Sequence, residues 1–90
     1  MKPKRSQLEV IHDMLASVQR KGGRIRPTQL LSKSNLSYKM MQEYLVLLDE
    51  RKLIKEERVK DKKFYLLTDK GYAFLTEYRR LSAFTEAFGL

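Results

Sequence analysis

Between Leu31 and Tyr38 the chain has room for one tight turn and no more. That spacing decides most of what the chain can become. Leu30 and Leu31 belong to a short helical pattern. Tyr38, Met41, Tyr44, Leu45 and Leu48 form a second apolar stripe at helical period. The link supplies what a sharp turn needs: Asn35 tolerates positive φ, Leu36 offers an apolar anchor, and Ser37 is a good N-cap. Two helices joined this closely must cross and share one core, which is the helix-turn-helix arrangement. The first is expected to start at Thr28 as N-cap and end near Ser34. The second is expected to run from Ser37 to about Glu50 or Arg51.

The flanking segments complete a recognisable order. Ser6 and Glu9 form the S-x-x-E capping box of a first helix, whose apolar positions are Leu8, Ile11, Met14, Leu15 and Val18. Gly22-Gly23 ends it. Arg24-Ile25-Arg26 fits a short extended piece, because Pro27 keeps its predecessor out of the helical region. Leu53 to Val59 and Lys63 to Leu67 read as two strands around a Lys60-Asp61-Lys62 turn. Thr68 caps a last helix, with Asp69 in its favourable first turn. The expected fold is mainly α with a small β-hairpin, in the order α-β-α-α-β-β-α, a winged helix-turn-helix. Residues 1–5 read as a basic arm, 6–68 as the domain and 69–90 as a C-terminal helix.

Ninety residues suffice for one domain. The chain has no cysteine and a single histidine, His12, so neither a disulfide framework nor a metal cluster of Cys and His is expected. The basic start lacks a following apolar stretch, so it does not read as a signal peptide. The longest apolar run, Tyr44 to Leu48, is far short of a membrane span. A soluble, cytoplasmic protein associated with the nucleoid is expected, without membrane contact. No glycine-rich phosphate loop, nucleophile triad or metal spacing is present, so no enzyme activity, cofactor or small-molecule ligand is expected. The net charge of +8 favours an anionic partner, and nucleic acid is the commonest for a small basic domain.

Candidate contacts follow from what each helix turns outward. On the second helix of the pair these are Ser37, Lys39, Met40, Gln42, Glu43 and Val46. A recognition helix presents its N-terminal residues to base edges in the major groove. Lys39 suits guanine or phosphate, Gln42 has the amide geometry for adenine, and Glu43 is the weakest of the set. The bland reading is a solvated helix face. Arg58, Lys60, Lys62 and Lys63 crowd the hairpin tip and suit phosphate contact, though lysines there also protect a sheet edge. Arg26 and Lys33 add charge around the short helix. Tyr38 and Tyr44 could stack on single-stranded bases, but their spacing reads better as core. In the last helix Phe74, Tyr78, Leu81, Phe84, Thr85 and Phe88 exceed what one small domain needs, which points to a homodimer contact.

Asn35-Leu36-Ser37-Tyr38, Tyr44-Leu45, Leu53-Ile54 and Tyr65-Leu66-Leu67-Thr68 with Lys70-Gly71 together resemble the archaeal winged-helix regulators related to the ten-kilodalton chromatin protein of Sulfolobus. Lys4-Arg5-Ser6 and Leu8-Glu9-Val10-Ile11 extend the match over nearly the whole chain. The resemblance implies a dimeric winged helix, joined through its last helix, that binds duplex DNA in transcription regulation or chromatin. The sequence ends at Leu90, about six turns past Thr68, shorter than the long C-terminal helix common in that family. A protein-interaction module on the same fold is the alternative, with Met40, Val46, Leu47 and the aromatic last helix as its surface.

Overall fold

Ser6 opens the first helix as the capping box requires. Its Oγ accepts from the Glu9 N–H at 3.1 Å, and Glu9 Oε1 accepts from the Ser6 N–H at 3.3 Å. The structure, a computed structural model, describes residues 5–90. Its elements are α1 (Gln7–Arg20), β1 (Arg24–Ile25), α2 (Pro27–Ser34), α3 (Tyr38–Glu50), β2 (Ile54–Val59), β3 (Lys62–Leu67) and α4 (Asp69–Ala87). The mainly helical order expected from the sequence is the order observed. Residues 1–4 of the expected basic arm lie outside the described residues.

The core gathers on α1. Val10, Ile11, Met14, Leu15, Ala16 and Val18 are buried, and they meet Ile25, Leu30, Met41, Leu45, Leu48, Tyr65, Leu67 and Leu75. Leu8 was expected in this stripe but is 52% exposed. It lies in the first turn of α1, at the margin of the apolar face, and Val10 is buried in its place. The three strands form one antiparallel sheet in the order β1-β3-β2. Tyr65 pairs with Ile25 on one side and Glu56 on the other. Tyr65 and Leu67 face the core, while Phe64 and Leu66 lie on the opposite, partly covered face.

Several boundaries differ from expectation: β1 stops at Ile25, β2 begins at Ile54 rather than Leu53, and two others change local geometry. Helix α2 begins at Pro27 with Arg26 as N-cap, not at Thr28. Proline's fixed φ suits the first helical position, where its missing N–H removes no hydrogen bond. Gln29 Oε1 accepts from the Arg26 N–H at 3.2 Å and stands in for a capping side chain. In the hairpin, Lys62 pairs with Val59, so the turn is only Lys60-Asp61. Both residues have positive φ, 49° and 65°, the geometry whose twist matches a hairpin.

Helix α4 packs tightly on the sheet end. Thr68 Oγ1 accepts from the Gly71 N–H at 3.0 Å and donates to the Lys52 carbonyl at 2.6 Å. Gly71 and Leu75 are buried, so the first half of α4 belongs to the domain rather than to a separate unit. A Cβ on Gly71 would run into the Leu53 carbonyl oxygen and come within 2.7 Å of Leu67 Cδ1. The Leu53 oxygen is fixed, since it accepts from the Thr68 N–H. Gly71→Ala is therefore expected to cost about 1–3 kcal/mol, as overpacking does. A lowered urea midpoint with unchanged far-UV circular dichroism would bear this out; wild-type stability would refute it.

Candidate nucleic-acid interface

The turn between α2 and α3 is built as its sequence demands. Asn35 takes the left-handed conformation, φ 55° and ψ 43°, and ends α2. Leu36 packs against the core. Ser37 caps α3, its Oγ accepting from the Met40 N–H at 3.2 Å. The turn is also held from outside. The Arg5 guanidinium donates to the Asn35 carbonyl at 3.2 Å and to Asp13 Oδ2 at 2.8 Å. Arg5, placed by sequence in a basic arm, is thus engaged with α1 and the turn.

Helix α3 buries Met41, Leu45 and Leu48 and half-buries Tyr44. Tyr38 departs from the expected stripe and is 65% exposed. It is the first residue of the helix, ahead of the turn where α3 meets the core, and Leu36 is the apolar residue packed there. This exposed tyrosine beside Lys39 is a candidate site residue that sequence periodicity missed. The available signal was its position directly after the cap, where helical spacing says least about burial. Lys39, Met40, Glu43 and Val46 are exposed as expected. Gln42 is only half exposed. It lines a groove of about 150 Å³ between α3 and the hairpin with Val46, Asp49, Glu56, Lys63 and Tyr65.

The wing cations divide into two groups. Glu56 Oε1 lies 3.8 Å from Arg58 Nε and 3.7 Å from Lys63 Nζ, so one carboxylate faces two cations. The Lys63 pKa is held above the ordinary lysine value, first by the Tyr65 hydroxyl and then by Glu56. Lys60 and Lys62, at the tip, are exposed and join no ion pair among the described residues. On the outer sheet face the Arg24 guanidinium lies 3.7 Å from the Phe64 ring centre, and Arg26 lies 5.3 Å from it. Arg24 also meets Glu57 at 3.5 Å. Arg26 is half-buried, and its Nε is buried without a partner, so it is less available than its sequence position suggests. Lys33 is exposed on α2, away from the wing.

The aromatic last helix is used in two ways. Phe74 packs against the core, and Tyr78 stacks on His12 of α1 at 4.2 Å with an 18° interplanar angle. These two candidate interface residues are engaged within the protomer. Burial, then Glu9 and Asp13, raise the Tyr78 hydroxyl pKa. Leu81, Phe84 and Phe88 are 56%, 55% and 67% exposed, and the two phenylalanine rings lie 4.8 Å apart. Thr85 is half-buried, its hydroxyl donating to the Ser82 carbonyl.

A helix-turn-helix followed by a two-stranded wing defines the class of this protein. The winged helix-turn-helix family model matches residues 4–86, and the chain belongs to that family. Three solved structures share the fold. Sso10a-2, a DNA-binding protein from Sulfolobus solfataricus, is 21% identical over 93% of this chain and 85% of its own, with a TM-score of 0.80. A winged-helix DNA-binding protein from STIV is 20% identical over 87% of this chain and 90% of its own, TM-score 0.69. BpsR of Bordetella bronchiseptica, whose DNA binding is regulated by 6-hydroxynicotinic acid, is 19% identical over 76% and 50%, TM-score 0.68. No curated protein matches the chain in sequence. No described helix is long and apolar enough to cross a membrane.

The Arg5–Asp13 contact makes a pH prediction. Burial raises the Asp13 pKa, but hydrogen bonds from Arg5 and His12 outweigh it, and the carboxyl sits below its ordinary 3.8. A carboxyl with a lowered folded pKa adds stability above its unfolded pKa and loses it as pH falls through the folded one. Carbon-detected NMR titration should therefore place Asp13 below 3.8, and Arg5→Ala should raise it. An unchanged titration in the variant would show that Arg5 does not hold the turn through Asp13.

Proposed function

We propose that the protein binds duplex DNA as a transcriptional regulator or chromatin-associated protein of the nucleoid. The start of α3 enters the major groove and the wing tip rests on phosphates. The observation that carries this reading is the placement of exposed cations that join no ion pair among the described residues. Lys39 stands at the start of α3, and Lys60 and Lys62 at the end of the hairpin. These are the two parts of a winged helix that reach a duplex. The DNA-binding descriptions of the structural neighbours support the same reading.

The roles follow from chemistry. The Ser37 oxygen accepts within the cap, which leaves its O–H to donate to a phosphate. Lys39 reaches guanine or backbone. Gln42 reads adenine from the groove beside the wing, and exposed Met40 and Val46 suit a thymine methyl. Glu43 can only accept, so it suits cytosine and repels phosphate. Lys60 and Lys62 supply sequence-independent affinity. Arg58 and Lys63 add to it when the approaching phosphate displaces Glu56. Arg26 and Lys33 extend the positive border.

A second copy pairs through the distal half of α4, where Leu81, Phe84 and Phe88 stay uncovered on a helix that has already passed the domain. Burying them against a twin removes apolar surface from water at about 25 cal/mol per Å².

Mobility-shift titrations on random 30-base-pair duplex at several salt levels test the DNA reading. Binding should weaken steeply with salt. Lys60→Ala with Lys62→Ala should weaken all sequences alike and reduce the log–log salt slope by about 2, at ~0.9 per lost phosphate contact. Binding that ignores salt, or a variant with the wild-type slope, would refute it. For the dimer, sedimentation should give twice the mass of one chain, and Leu81→Glu with Phe84→Glu should return a folded monomer. A monomeric wild type would overturn the pairing.

A further inference from the structure

Residues 14–42 contain six Lys or Arg and no Asp or Glu. Nearly a third of the chain is therefore acid-free, although it spans the second half of α1, all of α2 and the start of α3. Elsewhere carboxylates lie among the cations, and four of the cations pair with them: Arg5 with Asp13, Arg58 and Lys63 with Glu56, Arg80 with Glu77. Within the acid-free stretch only Arg24 finds one among the described residues, Glu57 from β2. Three of the remaining cations converge. Arg20 and Lys21 from the end of α1 and Lys33 from α2 line one cleft of about 270 Å³. Its fourth lining residue, Ser17, is buried and already donates to the Asp13 carbonyl at 2.7 Å. No carboxylate lines the cleft, and none of the three cations joins an ion pair among the described residues.

Three like charges around one cleft repel each other, and an anion seated among them removes that cost. The carbonyl end of α1 offsets only part of it. We propose that the α1–α2 cleft is a further phosphate seat for duplex DNA, separate from the recognition helix and the wing. This rests on the duplex-binding reading and extends its footprint. Lys33 stands four residues before Ser37, so a strand passing the start of α3 runs beside the cleft. Long, exposed side chains on an open cleft suit a backbone that slides and exchanges.

The test uses the full chain. Arg20→Ala with Lys21→Ala removes two exposed cations, and circular dichroism should show the fold intact. A matched pair, Arg51→Ala with Lys55→Ala, removes the same charge at the far end of α3. On 30-base-pair duplex the cleft variant should lower the salt slope by about 2 and weaken binding roughly tenfold or more near 0.1 M salt. The matched pair should change the slope by much less. Equal loss in both variants would reduce the effect to net charge and overturn the seat. So would a wild-type slope in the cleft variant. Amide shifts of Ser17, Lys21 and Lys33 should also move when duplex is added. If they move only with inorganic pyrophosphate, the cleft takes a small phosphate and the duplex proposal fails. If the wild type binds no duplex at low salt, the underlying reading itself falls.

Discussion

The buried side of α1 is the surface against which α2, β1, β3 and α4 all pack. Met14 and Leu15 are fully buried, Val18 nearly so, and all three belong to one core cluster with residues of those elements. A fully buried side chain of this size contributes about 1.5–3 kcal/mol relative to an exposed one. In a domain this small, where total stability is about 5–15 kcal/mol, few such positions can be lost. The helix-turn-helix and the wing are not self-supporting. They hold their geometry because α1 gives both a common floor.

Local devices then set the orientation of the parts that face outward. Asn35 and Ser37 fix the angle between α2 and α3, and Arg5 ties that turn back to α1 through Asp13. Thr68 and Gly71 bring α4 hard against the end of the sheet. The positive φ of Lys60 and Asp61 keeps the wing to a two-residue tip, which places Lys60 at the point of the hairpin and Lys62 at its first pair. Each device is short range, yet together they decide which cations stand clear of the domain.

Charge distribution matters more than net charge. Glu56 and Asp49 line the groove between α3 and the wing, so that groove does not attract phosphate as strongly as the tip does. Glu56 holds Arg58 and Lys63 close to the sheet. The acid-free stretch leaves uncompensated positive charge instead on the second half of α1, on α2 and at the start of α3. On the proposed duplex-binding reading, an interface divided in this way would draw its affinity from several separate phosphate contacts and leave sequence reading to a few residues of α3.

The short link from Ser34 to Ser37 by itself determined the helix-turn-helix, because only residues with those φ preferences and capping groups close so tight a turn. The caps at Ser6, Ser37 and Thr68, the alternation in β3 and the surplus of apolar residues in α4 were equally legible, since each depends on near neighbours along the chain. Tertiary structure alone decided which apolar residues were covered. Helical spacing placed Leu8 and Tyr38 in the core, but both lie in first turns at the margin of their stripes and remain exposed. It also could not tell that Phe74 and Tyr78 are engaged within the protomer while Leu81, Phe84 and Phe88 are not. The pairing of wing cations with Glu56 and the meeting of Arg20, Lys21 and Lys33 join residues from different elements or opposite strands. The turn was readable because its forces act over four residues; the interface was not, because its electrostatics depend on which elements pack side by side.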